Sequence, residues 1–255
     1  MNPSHGLELD TSTAALLSRF PKTRDPLPAE FEAIYARTYK INRDGSSPAS
    51  GLAQKMEAWM HRKVAADVDS NSAKSTLEIG AGTLNHLPYE PGVIPYDIVE
   101  PFHYLFEKSP SRSRVRRFYN DVSEIALTSR YDRIISIATF EHVCNLPDVV
   151  AKCGRLLSKH GHLRVAIPSE GTVLWSLGWH VTTGLEFRLR HGLDYGVMMR
   201  HEHVNDASEI RDILNYLFSI VVCSVFGVSA SMSLYQFYDC SKPNLNRCFQ
   251  LLREG

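Results

Sequence analysis

Two rhythms of apolar and polar positions divide the chain. From Ala29 to Thr38, Phe31, Ile34, Tyr35 and Thr38 recur at helical spacing, and from Gly51 to Val68 the same spacing carries Leu52, Met56, Trp59, Met60 and Val64, so a helix is predicted over each stretch. Asn42-Arg43-Asp44-Gly45-Ser46-Ser47-Pro48 between them is a run of turn formers. Residues 1–26, polar and punctuated by Pro21 and Pro26, read as a loosely tethered arm. Beyond residue 75 the rhythm changes to short apolar runs at Thr76–Ile79, Val93–Val99, Val115–Tyr119, Arg133–Ala138 and His162–Ile167. Helical stretches fall between most of them, the clearest being Pro147–Leu157, which opens on Pro147-Asp148 and stops before a turn at Gly161. Such alternation predicts a parallel sheet covered by helices on both faces. Two more strands, Ile220–Gly227 and Leu234–Tyr238, are separated only by the polar stretch Ser229–Ser233. A connection that short joins antiparallel strands and cannot join parallel ones. The expected fold is therefore a Rossmann-like α/β sheet of seven strands, mainly parallel, closing in a C-terminal antiparallel hairpin.

Composition narrows the class of partner. A chain of 255 residues suits one large domain or a domain plus a small appendage, here divided as an arm and helix over 1–50 and a main domain over 51–255. The 28 basic residues match the 28 acidic ones, which removes any electrostatic reason to expect nucleic acid or a membrane surface. The short basic run Arg112–Arg117 reads as a solvated turn. The five cysteines, Cys144, Cys153, Cys223, Cys240 and Cys248, form no Cys-x-x-Cys pair, so reduced thiols are expected. There is no leader pattern, and no apolar run reaches the roughly 18 residues of a membrane span. A soluble, cytoplasmic protein is the expectation.

The chemistry-bearing residues stand at strand ends. The first strand runs into Glu78-Ile79-Gly80-Ala81-Gly82-Thr83, where paired glycines let the backbone turn sharply and approach a ligand. About 20 positions on, the second strand ends in Tyr96-Asp97-Ile98-Val99-Glu100-Pro101, and an acid at that place can hold a ribose diol. Glu100 fits the position, with Asp97 as the substitute. Asn120-Asp121-Val122 follows the third strand, and Ala138-Thr139-Phe140-Glu141-His142-Val143 follows the fourth.

In order and spacing these pieces resemble the class I S-adenosylmethionine-dependent methyltransferases, of the type 11-like kind, over roughly residues 50–240. The resemblance implies S-adenosylmethionine as cofactor, held by Glu78, Gly80, Ala81, Gly82, Glu100, Asp121 and Thr139. The loop departs from the usual pattern at Thr83-Leu84-Asn85, where many members carry a third glycine; Asn85 would take a tight conformation or cap a following helix. Asp121 has an alternative reading as the cap of Ser123-Glu124-Ile125. A nicotinamide-dependent oxidoreductase is the rival, but its fingerprint needs a third glycine where Asn85 stands. A cofactor-binding regulator without catalysis is the second alternative.

Methyl transfer needs an acceptor positioned in line with the methyl group, and a base where the acceptor must lose a proton. Candidate catalytic residues are His142, Glu170 after the fifth strand, and His201. The segment 172–205 is long enough to act as a substrate lid. It mixes Trp175, Trp179, Phe187 and Tyr195 with His180, Arg188, Arg190 and His201, which suits a small polar acceptor such as a sugar or glycoconjugate methylated on oxygen. His201-Glu202-His203 lacks a nearby carboxylate cluster in the sequence, and magnesium prefers oxygen ligands, so no metal is expected. Tyr35, Tyr39 and Arg43, or Trp59 and His61, are candidates to cover the cofactor pocket or else to form an ordinary amphipathic face.

Overall fold

The structure, a computed structural model, describes residues 11–32, 34, 51–69, 73–90, 92, 94–180 and 184–254. The predicted residues Tyr35, Thr38, Tyr39 and Arg43 and the turn at 42–48 lie outside the described residues, as does the side chain of Trp179. In chain order the strands are β1 (Thr76–Ile79), β2 (Tyr96–Val99), β3 (Val115–Tyr119), β4 (Tyr131–Ile137), β5 (Leu157–Pro168), β6 (Phe218–Ser229) and β7 (Met232–Pro243). They form one seven-stranded sheet in the order β3-β2-β1-β4-β5-β7-β6. Neighbours among β1 to β5 run parallel, whereas β7 pairs antiparallel with both β5 and β6. The sheet thus matches the expected mainly parallel architecture with its closing hairpin. The strand order reverses between β1 and β4, and it is at such a crevice that open α/β sheets take ligands.

The helices are α1 (Thr11–Leu17), α2 (Gly51–Ala65), α3 (Leu146–Leu156), α4 (Val173–Trp179), α5 (Leu185–His191), α6 (Tyr195–Glu202), α7 (Ala207–Leu217) and α8 (Leu245–Glu254). One apolar core joins β1, β4 and β5 to α3 and α7, through Leu77, Ile134, Val150, Leu163 and Ile213, all without exposed surface. A second core lies under α2, where Met60 and Val64 meet Leu84, Ile98 and Ile135. Helix α8 does not stand out in the chain's larger rhythm. Cys248, Leu251 and Leu252 nevertheless repeat at helical spacing and pack on the first core. None of the long helices needed to cross a membrane occurs among the described residues.

One expectation about polar residues is corrected and two are sharpened. The arm is fastened from residue 11 onward: Leu16, Leu17 and Phe20 pack on the core, and the Lys22 N–H donates to the Cys144 carbonyl at 2.8 Å. The Lys22 ammonium reaches Val204 O at 2.8 Å and Glu209 Oε2 at 2.6 Å. The basic run stays at the surface yet is tied to its neighbours: Arg114 donates to the carbonyls of Leu87, Glu90 and Gly92, and Arg116, its side chain 49% exposed, forms a forked pair with buried Asp97. His61 is buried against His86, with Nδ1 to Nδ1 at 3.0 Å, and Trp59 packs edge-on to Phe226; neither lines the cavity described below.

Glu78 is the polar anomaly of the central strand. Every residue of β1 is buried, and Glu78 accepts a hydrogen bond from the Tyr96 hydroxyl at 2.7 Å. Burial pushes its carboxyl up to about 8, against the opposing effect of the Tyr96 bond. A carboxyl raised above its unfolded value holds its proton in the folded state, so its stabilising contribution is full below the unfolded pKa and is lost as pH rises through the folded one. Melting temperature should therefore fall between about pH 5 and about pH 8, and Glu78→Gln should flatten that fall. Parallel pH dependence in both proteins would refute this account.

Candidate active site

A cavity of about 830 Å³ opens at the carboxyl ends of β1, β2 and β4, the place where the strand order reverses. Its floor is the loop after β1. Gly80 (φ +74°) and Gly82 (φ +50°) both take left-handed backbone that other residues adopt only with strain. A Cβ on Gly80 would lie 2.3 Å from Thr139 Oγ1, so this glycine lets the loop after β4 sit against the loop after β1. A Cβ on Gly82 would meet nothing and would project into open space. The missing third glycine is resolved at Leu84, which itself takes φ +66° and is anchored by full burial. Asn85 caps no helix; its amide donates to Glu57 Oε1 at 3.1 Å.

Glu100 faces this loop. Its Oε2 accepts from the Gly82 N–H at 2.8 Å and its Oε1 from the Phe102 N–H at 3.0 Å. The carboxylate therefore clamps the glycine loop, and each oxygen keeps a lone pair for a further donor. Asp97 is turned away, bonded to Arg116 and to the Tyr131 hydroxyl. Asp121 lines the cavity and also accepts from the Ser123 N–H at 2.7 Å, so both readings of that residue describe its position. Thr139 and Ala81 line the cavity as well. Glu78 does not: it lies beneath the loop in the core with Tyr96.

The three candidate catalytic residues are not brought together. His142 lines the cavity, with Nδ1 at 2.9 Å from the Glu202 carbonyl. Glu170 lines a different depression, and its Oε2 is engaged by His203 Nδ1 at 2.8 Å and by the Trp175 indole N–H. His201 is turned outward, with Nδ1 at 2.7 Å from Asp25 O. The residue missing from the sequence reading is His203, whose ring stands edge-on to that of His142 with centroids 4.8 Å apart. Burial disfavours its imidazolium, but the Glu170 hydrogen bond and the Glu141 and Glu202 charges outweigh that and raise its pKa. Arg24 is also unanticipated: it lines the cavity and donates to the carbonyls of His142, His201 and Glu202 at 2.7–2.8 Å, joining the arm to both segments. An arginine holding three carbonyls has no sequence signature, since the acceptors belong to the backbone.

Segment 172–205 folds into α4, α5 and α6. Its described aromatics are used in packing: Trp175 lies edge-on to Tyr235, and Phe187 is stacked on Phe31 and beside Tyr195. None of these rings lines the cavity, so the described aromatics do not form the expected stacking platform for a sugar there.

No protein-family model and no curated protein matches this sequence. Solved structures do match. A methyltransferase of Thermotoga maritima described as S-adenosylmethionine-dependent aligns over 84% of this chain and 98% of its own, with TM-score 0.55 and 16% identity. The plantazolicin methyltransferase BpumL, solved with S-adenosylhomocysteine and a substrate analogue, aligns over 91% of this chain and 98% of its own, with TM-score 0.53 and 12% identity. The fold is that of the class I S-adenosylmethionine-dependent methyltransferases. An O-methyltransferase family protein of Burkholderia thailandensis aligns over 91% of this chain and 69% of its own, at TM-score 0.54 and 14% identity. A carbon methyltransferase, CurJ, aligns over 84% of this chain and 61% of its own, with TM-score 0.54 and 18% identity. Structures sharing the methyltransferase fold therefore act on different acceptor atoms, and the fold does not select among them.

Proposed function

We propose that this chain transfers a methyl group from S-adenosylmethionine to an oxygen of a small polar molecule. The observation that carries the reading is the cavity itself: a glycine loop, the Glu100 carboxylate, Asp121 and His142 line one continuous space. In this reading the methionine part of the cofactor lies along Gly80–Gly82, Glu100 receives the ribose hydroxyls, and Asp121 meets adenine. Thr139 borders the sulfonium. The acceptor enters beside Arg24, His142 and Glu202, whose polar groups suit hydroxyls better than apolar rings. Segment 172–205 serves as the lid on that end, reaching the cavity through Glu202 at the end of α6, which Arg24 fastens. Of the three candidate bases, the reading keeps only His142, the one that lines the cavity.

Calorimetric titration with S-adenosylhomocysteine and with NAD tests the cofactor, and only the first should bind. Glu100→Ala should weaken that binding by about 1.5–3 kcal/mol, the value of a hydrogen bond to a charged group. Unchanged affinity would remove Glu100 from the cofactor site. His142→Ala should abolish transfer of labelled methyl groups to metabolite pools while S-adenosylhomocysteine still binds; normal turnover would place the acceptor elsewhere.

A further inference from the structure

Next to the proposed acceptor end, one ligand atom each from Glu141, His142 and His203 lie within 4.8 Å of one another. Two features set this cluster apart from an ordinary ion pair. Both imidazoles spend Nδ1 on an oxygen, His203 on Glu170 Oε2 at 2.8 Å and His142 on the Glu202 carbonyl at 2.9 Å. That fixes the ring orientation and leaves each Nε2 available, which is how metal-binding histidines are held by oxygen partners behind them. Glu141 is 1% exposed, and its buried Oε2 has no hydrogen-bond partner, an arrangement that is costly unless something positive completes it.

The backbone holds the cluster ready. The Glu141 carbonyl accepts from the Val204 and Asn205 N–H groups, and the Asn205 amide donates to the carbonyls of Phe140 and Val143 at 2.8 Å. The turn bearing Glu141 and His142 is thereby latched to the end of α6 that bears His203. Three carboxylates, those of Glu141, Glu170 and Glu202, surround the two imidazoles, while the Arg24 guanidinium is engaged by carbonyl oxygens.

We propose that Glu141, His142 and His203 bind a divalent first-row transition-metal ion at the wall of the cavity. Two imidazoles and one carboxylate suit Zn²⁺, Fe²⁺, Co²⁺ or Mn²⁺ rather than the oxygen-seeking Ca²⁺ and Mg²⁺. Bond lengths of about 2.0–2.2 Å would draw the ligand atoms to roughly 3–3.5 Å of one another, an inward shift within the reach of side-chain torsions. Three protein ligands leave coordination positions open, and His142 already borders the cavity. An acceptor hydroxyl bound there would be acidified by the ion and would release its proton to water in the cavity, so with the ion bound His142 serves as a ligand in place of the base role it has without one. This role of the ion in catalysis rests on the methyl-transfer reading; the binding of the ion does not.

Chelator-treated full-length protein titrated with Co²⁺, followed by visible absorption, tests the site. One equivalent should bind with nitrogen and oxygen ligation and without the thiolate charge-transfer band that the cysteines would produce. His142→Asn and His203→Asn should each weaken binding by about 100-fold or more, and Glu170→Gln by about 10–100-fold as a positioning change. If the wild type binds no Co²⁺, or if the histidine variants bind it as the wild type does, the proposal is overturned. Circular dichroism identifies a variant that fails to fold. Should His203→Asn do so, His142→Asn, with its side chain 28% exposed, carries the test. S-Adenosylhomocysteine is titrated in parallel. Co²⁺ binding without it supports the metal site and removes the methyl-transfer reading, whereas its binding without Co²⁺ does the reverse.

Discussion

Arg133→Met should lower folding stability by about 3–5 kcal/mol, the usual consequence of leaving a buried charge without its partner. Arg133 on β4 has no exposed surface, and its guanidinium is surrounded by fixed acceptors. Nη1 and Nη2 donate to the two oxygens of Glu90 at 2.8 and 3.0 Å, Nη1 also to Thr76 Oγ1, and Nη2 to the Val64 carbonyl. Asp67 Oδ1 lies 3.0 Å from Nε. Methionine keeps the apolar stem but ends where Nε stands, and it strands Glu90, which is fully buried with His86 as its remaining partner. Burial alone would raise the Glu90 pKa; the His86 and Arg133 hydrogen bonds hold it down to about 2. A depressed carboxyl contributes stability above its unfolded pKa and loses it as pH falls through the folded value. The wild type should accordingly lose stability from about pH 4.5 downward, and Arg133→Met should lose less over that range. Denaturant midpoints of Arg133→Met, Glu90→Met and the double variant measure the coupling. The double variant should be more stable than Arg133→Met alone, because an apolar pair leaves no stranded charge. A single variant within 1 kcal/mol of the wild type would be incompatible with this network.

Gly80→Ala and Gly82→Ala should separate stability from cofactor binding. Both positions have positive φ, which costs a residue with a Cβ roughly 1–2 kcal/mol. At Gly80 the added carbon would also overlap the Thr139 side chain, with three of its atoms within 2.9 Å, so the loops after β1 and β4 must part. Gly80→Ala should therefore be the less stable variant, by a further 1–3 kcal/mol or about that, as overpacking typically costs. Gly82→Ala carries the backbone term alone, since its Cβ meets no protein atom. That Cβ would instead occupy the space assigned to the cofactor, so S-adenosylhomocysteine affinity should drop sharply in a protein that melts close to the wild type. Thermal melts and calorimetry on both variants decide the matter: equal melting temperatures would contradict the close approach to Thr139, and undiminished affinity in Gly82→Ala would move the ligand away from the loop.

Period and punctuation along the chain determined the layered α/β class, the closing antiparallel hairpin and the glycine loop. These are local signals: β1 and β3 have the bounds their apolar runs suggest, and the two strands after residue 217 are joined too closely to be parallel. Glu100 was legible for the same reason, as an acid at the end of a strand. What the sequence could not reveal was which polar side chains turn inward. Glu78 and Glu100 both flank a strand end, yet one faces Tyr96 in the core and the other faces the cavity. The two-residue period of a strand assigns them to a face only once the covering helices are in place. The same limit applies to His201 and His203, two positions apart at the end of α6. The first reaches outward to Asp25, and the second turns in toward Glu170 and His142, sixty-one positions away in sequence. That partnership comes from backbone hydrogen bonds between residues 141 and 204–205 and from the grip of Arg24. Such bonds involve carbonyls and amides that every residue carries, so only the tertiary structure decides which ones meet.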